Sequence, residues 1–199
     1  MERTIDFPLG LRRSLRVSDP PATGISGDAA LVVAARDGDR AAFGGLYQRY
    51  ARMVHGILLA RVPRQEVDDL VQDVFLLALR RLHTLREAAA FGGWLATITR
   101  NRTNDYFRRS HETSELPEDA AGPPGASPGP QAEAHAALAA IRRLPEAYRE
   151  TLILRLVEGL TGPEIAARTG LKPASVRVNL HRGMKQLREK LGKQASKEE

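Results

Sequence analysis

The sequence predicts an all-α chain of two small helical domains joined by a Pro/Gly-rich acidic linker, the second domain being a helix-turn-helix. Three observations carry this. Through 43–58, 67–82, 91–98 and 176–191 the apolar residues recur at steps of one, three and four, the period of helices that bury one face. Between Ser110 and Gln131 stand Pro117, Pro123, Pro124, Pro128 and Pro130 with Gly122, Gly125 and Gly129, a composition that holds neither a helix nor a core. Finally, the stretch Lys172 to Lys193 carries Lys172, Arg177, Arg182, Lys185, Arg188, Lys190 and Lys193 against Glu189 alone. Its balance of +6 equals the formal charge of the whole chain, so the basicity is local.

At 199 residues there is room for two small domains. The expected layout is an extension at 1–27, a first helical domain at 28–109, a linker at 110–132, the helix-turn-helix domain at 133–192 and a tail at 193–199. The extension has Arg3, Arg12, Arg13 and Arg16 but no apolar run of signal-peptide length, which reads as a disordered segment of a cytoplasmic protein. The linker holds Glu112, Glu115, Glu118 and Asp119 and no Lys or Arg, the wrong sign for a phosphate backbone. It reads either as a solvated tether or as an acidic functional segment. Its 22 residues reach at most about 68 Å at ~3.1 Å per residue.

Catalysis has no candidate. There is no cysteine, hence no disulfide, thiolate nucleophile or cysteine metal site. His111-Glu112 lacks the second histidine of a zinc-protease helix, since position 115 is Glu115. No Gly-rich phosphate loop and no Ser, His and acid set stands out, so the chain is expected to be no enzyme and to need no cofactor or metal.

Three substantial helices are expected in the first domain. The first buries Phe43, Leu46, Tyr47, Tyr50, Val54, Ile57 and Leu58 and ends at Pro63. In the second, Val67, Leu70, Val71, Val74, Phe75, Ala78, Leu79 and Leu82 form the buried stripe. Its other side carries Asp68, Asp69, Gln72 and Asp73, then Leu76 and Leu77. Exposed leucines beside acids point to a partner-docking face more than to a solvated one. The third helix, 91–109, buries Phe91, Trp94, Leu95 and Ile98 and presents Thr97, Arg100, Asn101, Asn104 and Arg108 on another face. Amides and guanidinium groups on one stripe suit unpaired bases and their backbone, with a solvated helix as the plainer reading.

In the second domain Thr161-Gly162-Pro163-Glu164 reads as a capping box opening a short helix that stops at Gly170. Pro173 then opens the recognition helix, with Val176, Leu180, Met184, Leu187 and Leu191 inward. Ser175, Arg177, Val178, His181 and Arg182 remain outside, with Asn179 at the flank. Arg and Asn make bidentate contacts to guanine and adenine, and Val178 suits a thymine methyl. Lys172, Lys185 and Arg188 are placed for phosphates.

Asp68 to Leu76, Phe91-Gly92-Gly93-Trp94 through Asn101 and Arg108-Arg109 closely resemble region 2 of bacterial extracytoplasmic-function (ECF) sigma factors, of the sigma-70 family. Leu144-Pro145, Glu158 to Thr161, Glu164-Ile165-Ala166 and Ser175-Val176-Arg177 through Leu180-His181-Arg182 resemble region 4 of that family. The resemblance spans about Ala35 to Leu191. It implies a promoter-specificity subunit whose partners are RNA polymerase core enzyme, through the β′ clamp helices and the β flap, promoter DNA, and an anti-sigma factor, with no membrane. Asp69, Gln72, Asp73, Phe75 and Leu76 would bind core polymerase. Arg100, Asn101, Asn104 and Arg108 would read the melted minus-ten strand; Ser175, Arg177, Val178, Asn179, His181 and Arg182 would read the minus-thirty-five duplex. The acidic linker would run toward the polymerase cleft. Gly183 stands where the family commonly has alanine. The alternative is an autonomous helix-turn-helix regulator, which has no need of an acidic, leucine-bearing face.

Overall fold

The computed structural model describes residues 26–113 and 130–195, every element of which is helical. The expected extension at 1–25, the segment 114–129 with most of the acidic linker, and residues 196–199 lie outside the described residues. Eight α-helices follow one another: α1 (Ser26–Arg36), α2 (Arg40–Leu59), α3 (Val67–Arg81), α4 (Phe91–Thr113), α5 (Pro130–Arg142), α6 (Glu146–Leu156), α7 (Gly162–Thr169) and α8 (Pro173–Ala195). The ends of α4 and α5 reach into the stretch expected to be linker, because its prolines and glycines begin only at Pro117.

The first unit has four long helices where the sequence suggested three. The added one, α1, is short, and its caps are supplied by other helices: Arg49 pairs with Asp28, and the Tyr50 hydroxyl donates to Asp28 Oδ2 at 2.7 Å. Burial, then the bond to Asp28, pushes the Tyr50 phenol upward, so this tie stays neutral and intact. At the other end Arg36 donates to the Leu82 and Leu85 carbonyls. Asp39 caps α2, accepting from the Ala41 and Ala42 N–H groups at 2.8 and 3.1 Å. Val32, Leu46, Met53, Ile57, Val74, Phe91 and Leu95 then close the core with almost no exposure.

The buried stripe of α3 differs from expectation at one position. Leu79 is 46% exposed. At ~100° per residue it sits about 100° from the stripe's centre, as Leu77 does on the opposite edge, and only Leu77 is covered by the core. Trp94 is half-buried against the Phe91 ring, their centroids 5.8 Å apart.

In the second unit the capping box is formed in both directions: Thr161 Oγ1 accepts from the Glu164 N–H, and Glu164 Oε2 accepts from the Thr161 N–H. Gly170 ends α7 at φ 73°, the left-handed geometry that favours glycine. The tight turn aims α8 across α6, with Val176 and Leu187 buried against Leu152, Ile153 and Ile165. Gly183 lies at that crossing. A Cβ there would stand 3.0 Å from Leu152 Cδ1 and 3.1 Å from Tyr148 Cβ, which accounts for the missing methyl.

The two units pack on each other through α2 against α6 and α7, and α4 against α7. Arg142 donates to the Leu59 and Val62 carbonyls at 3.0 and 2.8 Å, and Arg168 to the Arg49 carbonyl at 3.1 Å. His55 Nδ1 lies 2.6 Å from Glu158 Oε1. Among the described residues no helix is long and apolar enough to cross a membrane.

Burial alone would lower the His55 pKa, but the Glu158 carboxylate, helped by Asp68 and opposed by Arg64, leaves it raised above 6.5. A raised folded pKa means stability fully present below about 6.5 and lost as pH rises through the shifted value. The melting temperature should therefore fall more between about pH 6 and pH 9 in the native chain than in His55→Gln, which keeps a hydrogen-bond donor but cannot titrate. Equal falls would show that the pair contributes nothing to stability.

Candidate nucleic-acid interface

Three surfaces expected from sequence can be located. On α8, Val176 is held inside while Ser175, Arg177, Val178, His181 and Arg182 are exposed and Asn179 is half-buried at the flank. The first two turns of the helix thus present a guanidinium pair, an imidazole and an apolar group outward, the chemistry of base-edge readout. Lys172, Lys185 and Arg188 are exposed beside them. Arg155, at the end of α6, lines an open groove with Leu156, Leu180, His181, Met184, Lys185 and Arg188. Sequence reading missed Arg155. It stands outside the basic run, and only the crossing of α6 and α8 brings it there.

On α4, Thr97, Asn101, Asn104 and Arg108 are exposed on one side, with Arg108 donating to Asp105 at 3.1 Å. Arg100 is different. Its guanidinium donates to both oxygens of Glu150 on α6, Nη2 to Oε1 at 2.7 Å and Nε to Oε2 at 3.2 Å. Arg61 approaches the same carboxylate, Nη2 to Oε2 at 2.8 Å. Burial by itself would raise the Glu150 carboxyl, but Arg100 and then Arg61 hold it below the usual carboxylate range. It is therefore ionised at neutral pH and neutralises Arg100. The sequence gave no sign of this contact, since fifty residues separate the partners. Phe107, 40% exposed, adds an aromatic ring near the end of the stripe that sequence reading had not singled out.

On α3, Asp69, Gln72 and Leu76 are exposed together on the outer face, Leu76 at 52%. Two expected members behave otherwise. Phe75 is only 4% exposed, with its ring 4.6 Å from that of Tyr47 and 6.4 Å from that of Phe43. It cannot reach a partner, and its part is to fix α3 on α2. Asp73 accepts from Arg102 Nη2 on α4, so a partner must compete for it. Leu79 and the 39% exposed Tyr47 extend the apolar part of this face instead.

Comparison with known proteins follows the same division. Residues 46–113 match the family described as sigma-70 region 2, and residues 134–187 match sigma-70, region 4. The RNA polymerase sigma factor CarQ of Myxococcus xanthus is 36% identical over 164 residues, covering 79% of this chain and 93% of CarQ. The RNA polymerase sigma factor CnrH of Cupriavidus metallidurans is 30% identical over 181 residues, covering 80% of this chain and 92% of CnrH. A solved structure of CnrH in complex with the cytosolic domain of CnrY superimposes with a TM-score of 0.60 at 26% identity, over 83% of this chain and 97% of that one.

The α8 geometry separates two kinds of contact. Replacing Arg177 by alanine should cost roughly 1–3 kcal/mol on a preferred duplex and relax discrimination at one base pair, whereas Lys185→Ala should weaken binding to all sequences alike. Fluorescence anisotropy against a set of single-base variants of the site measures both. Sequence-blind losses for the two variants would make Arg177 a phosphate contact.

Proposed function

The chain belongs to the ECF RNA polymerase sigma factors of the sigma-70 family, and from that premise we propose how its surfaces divide the work. It directs RNA polymerase to promoters. Sigma factors are initiation factors, not enzymes, and the residues singled out above act by binding alone. Residues 28–109 form the domain that engages core polymerase and the melted minus-ten strand. Residues 133–192 form the domain that reads the minus-thirty-five duplex.

The outer face of α3 docks on the β′ clamp helices through Asp69, Gln72 and Leu76, with Asp73 joining once Arg102 releases it. Asn101, Asn104 and Arg108, with Arg100 when free, hold the single-stranded minus-ten segment by amide hydrogen bonds and phosphate pairing. Arg177, Val178, Asn179 and Arg182, flanked by Ser175 and His181, read the minus-thirty-five bases, while Lys172, Lys185 and Arg188 pair with phosphates. Region 4 also meets the β flap. As CnrH is held by the cytosolic domain of CnrY, this chain has its own anti-sigma protein, and it works in the cytoplasm where polymerase is. The acidic segment near Glu115 and Asp119 runs toward the polymerase cleft.

The observation that carries this reading is the α3 face. Two exposed leucines, Leu76 and Leu79, stand one turn apart beside exposed acids, on a unit that already has a complete core. A regulator that binds duplex DNA alone has no use for that surface.

The test targets exposed groups only, so the fold is spared. Asp69→Ala with Leu76→Ala should leave helix content unchanged by circular dichroism. It should weaken capture of core polymerase by about 2–5 kcal/mol, the range for truncating a desolvated interfacial charge. A folded double variant that binds core polymerase like the native chain would mean that this face is merely solvated.

A further inference from the structure

Taking the sigma-factor reading as given, we propose that the described arrangement is a self-closed state, in which Glu150 of α6 occupies Arg100 of the minus-ten surface and both DNA elements are out of joint reach until the two units separate. The contacts between the units fall on functional residues. Glu150, 5% exposed, sits between Arg100 and Arg61. A carboxylate that receives a guanidinium through two hydrogen bonds does what a phosphate of the melted strand would do there. A second carboxylate, Glu158, is 7% exposed and is met by His55, while Arg52 donates to the Glu158 carbonyl. Arg61 also reaches Glu146. Three acids of the second unit thus meet four basic side chains of the first.

The backbones approach as closely as the charges do. A Cβ on Gly56 would lie 2.7 Å from Leu154 Cδ2 and 2.8 Å from Glu158 Cγ, and one on Gly92 would lie 2.5 Å from the Arg168 carbonyl oxygen. The helix-turn-helix turn itself rests on α4, where a Cβ on Gly93 would be 3.5 Å from Gly170 Cα. Closure is therefore a fitted contact.

Size decides what it does. Elements named minus ten and minus thirty-five are about 25 base pairs apart, or ~85 Å of B-form axis at ~3.4 Å per pair. A compact body of about 150 residues has a radius of gyration near 15 Å, so its full width is about 40 Å. With the units packed together, α4 and α8 cannot sit on both elements. The charged contact suits release, because separated carboxylates and guanidinium groups return to water, whereas an apolar seam would stay shut. Core polymerase, by holding the units apart on one promoter, selects the open state.

The test uses the full chain, which has no cysteine to remove. Glu87→Cys and Ala139→Cys, both exposed and outside the assigned surfaces, carry a donor and an acceptor dye. Energy transfer should be high in the free chain and fall on adding core polymerase. It should also fall without polymerase in Glu150→Ala/Glu158→Ala and in Gly56→Val, a wedge that removes no charge. The double variant should bind a labelled single-stranded 12-nucleotide pool about tenfold more tightly, as expected when the competent fraction rises by that factor. Low transfer in the free native chain, or unchanged transfer in both variants with native helix content, overturns the proposal. So does high transfer lost in the variants with no gain in oligonucleotide binding over a native chain that binds it. If no form binds core polymerase, the sigma-factor reading fails instead, while the free-chain transfer still decides whether the units are closed.

Discussion

The Glu150 carboxylate is the point on which the arrangement of the two units turns. Its side chain is 6% exposed and receives Arg100 and Arg61 from two different helices of the first unit. An ionised carboxylate so far out of water is tolerable only while those partners stay, and leaving one uncompensated costs ~3–5 kcal/mol. Everything that fixes α6 therefore also fixes α2 and α4. Arg142 and Arg168 add donors to backbone carbonyls of the first unit, which need no opposite charge and so persist with salt. Electrostatics and close helix approach reinforce one geometry.

That geometry places the DNA-facing chemistry unevenly. The α8 surface is open, with Arg177 and Arg182 exposed, whereas the α4 surface has one of its guanidinium groups occupied. The polymerase-facing surface of α3 is tied inward too, since Asp73 is engaged by Arg102 of α4. A single polymerase contact at Asp73 would therefore reach the helix that carries the minus-ten residues. Binding and strand reading are adjacent in the fold because α3 and α4 share one core.

Much of this was legible in the chain itself. Thr161 and Glu164 form the capping box their spacing announces, and Gly170 takes the positive φ that a turn before Pro173 requires. These are local signals, decided within one helical turn. Apolar periodicity located α2, α3, α4 and α8 but could not resolve the edges of the α3 stripe, where Leu77 and Leu79 are equally oblique and only neighbouring helices choose between them. Phe75 was read as a partner contact from the resemblance, and its burial depends on Phe43 and Tyr47 of another helix. The Arg100–Glu150 contact and the placing of Arg155 beside Lys185 arise from packing between distant segments, which no periodicity encodes.

The account as a whole rests on the chain acting only together with polymerase, and in vitro transcription measures that directly. Core polymerase and the purified chain are incubated with a library of genomic promoter fragments, and the transcripts are sequenced. The account predicts defined start sites that require the chain and share two sequence blocks, the upstream one lost with Arg177→Ala. No chain-dependent transcript, together with tight sequence-specific binding of duplex DNA by the chain alone, would contradict it.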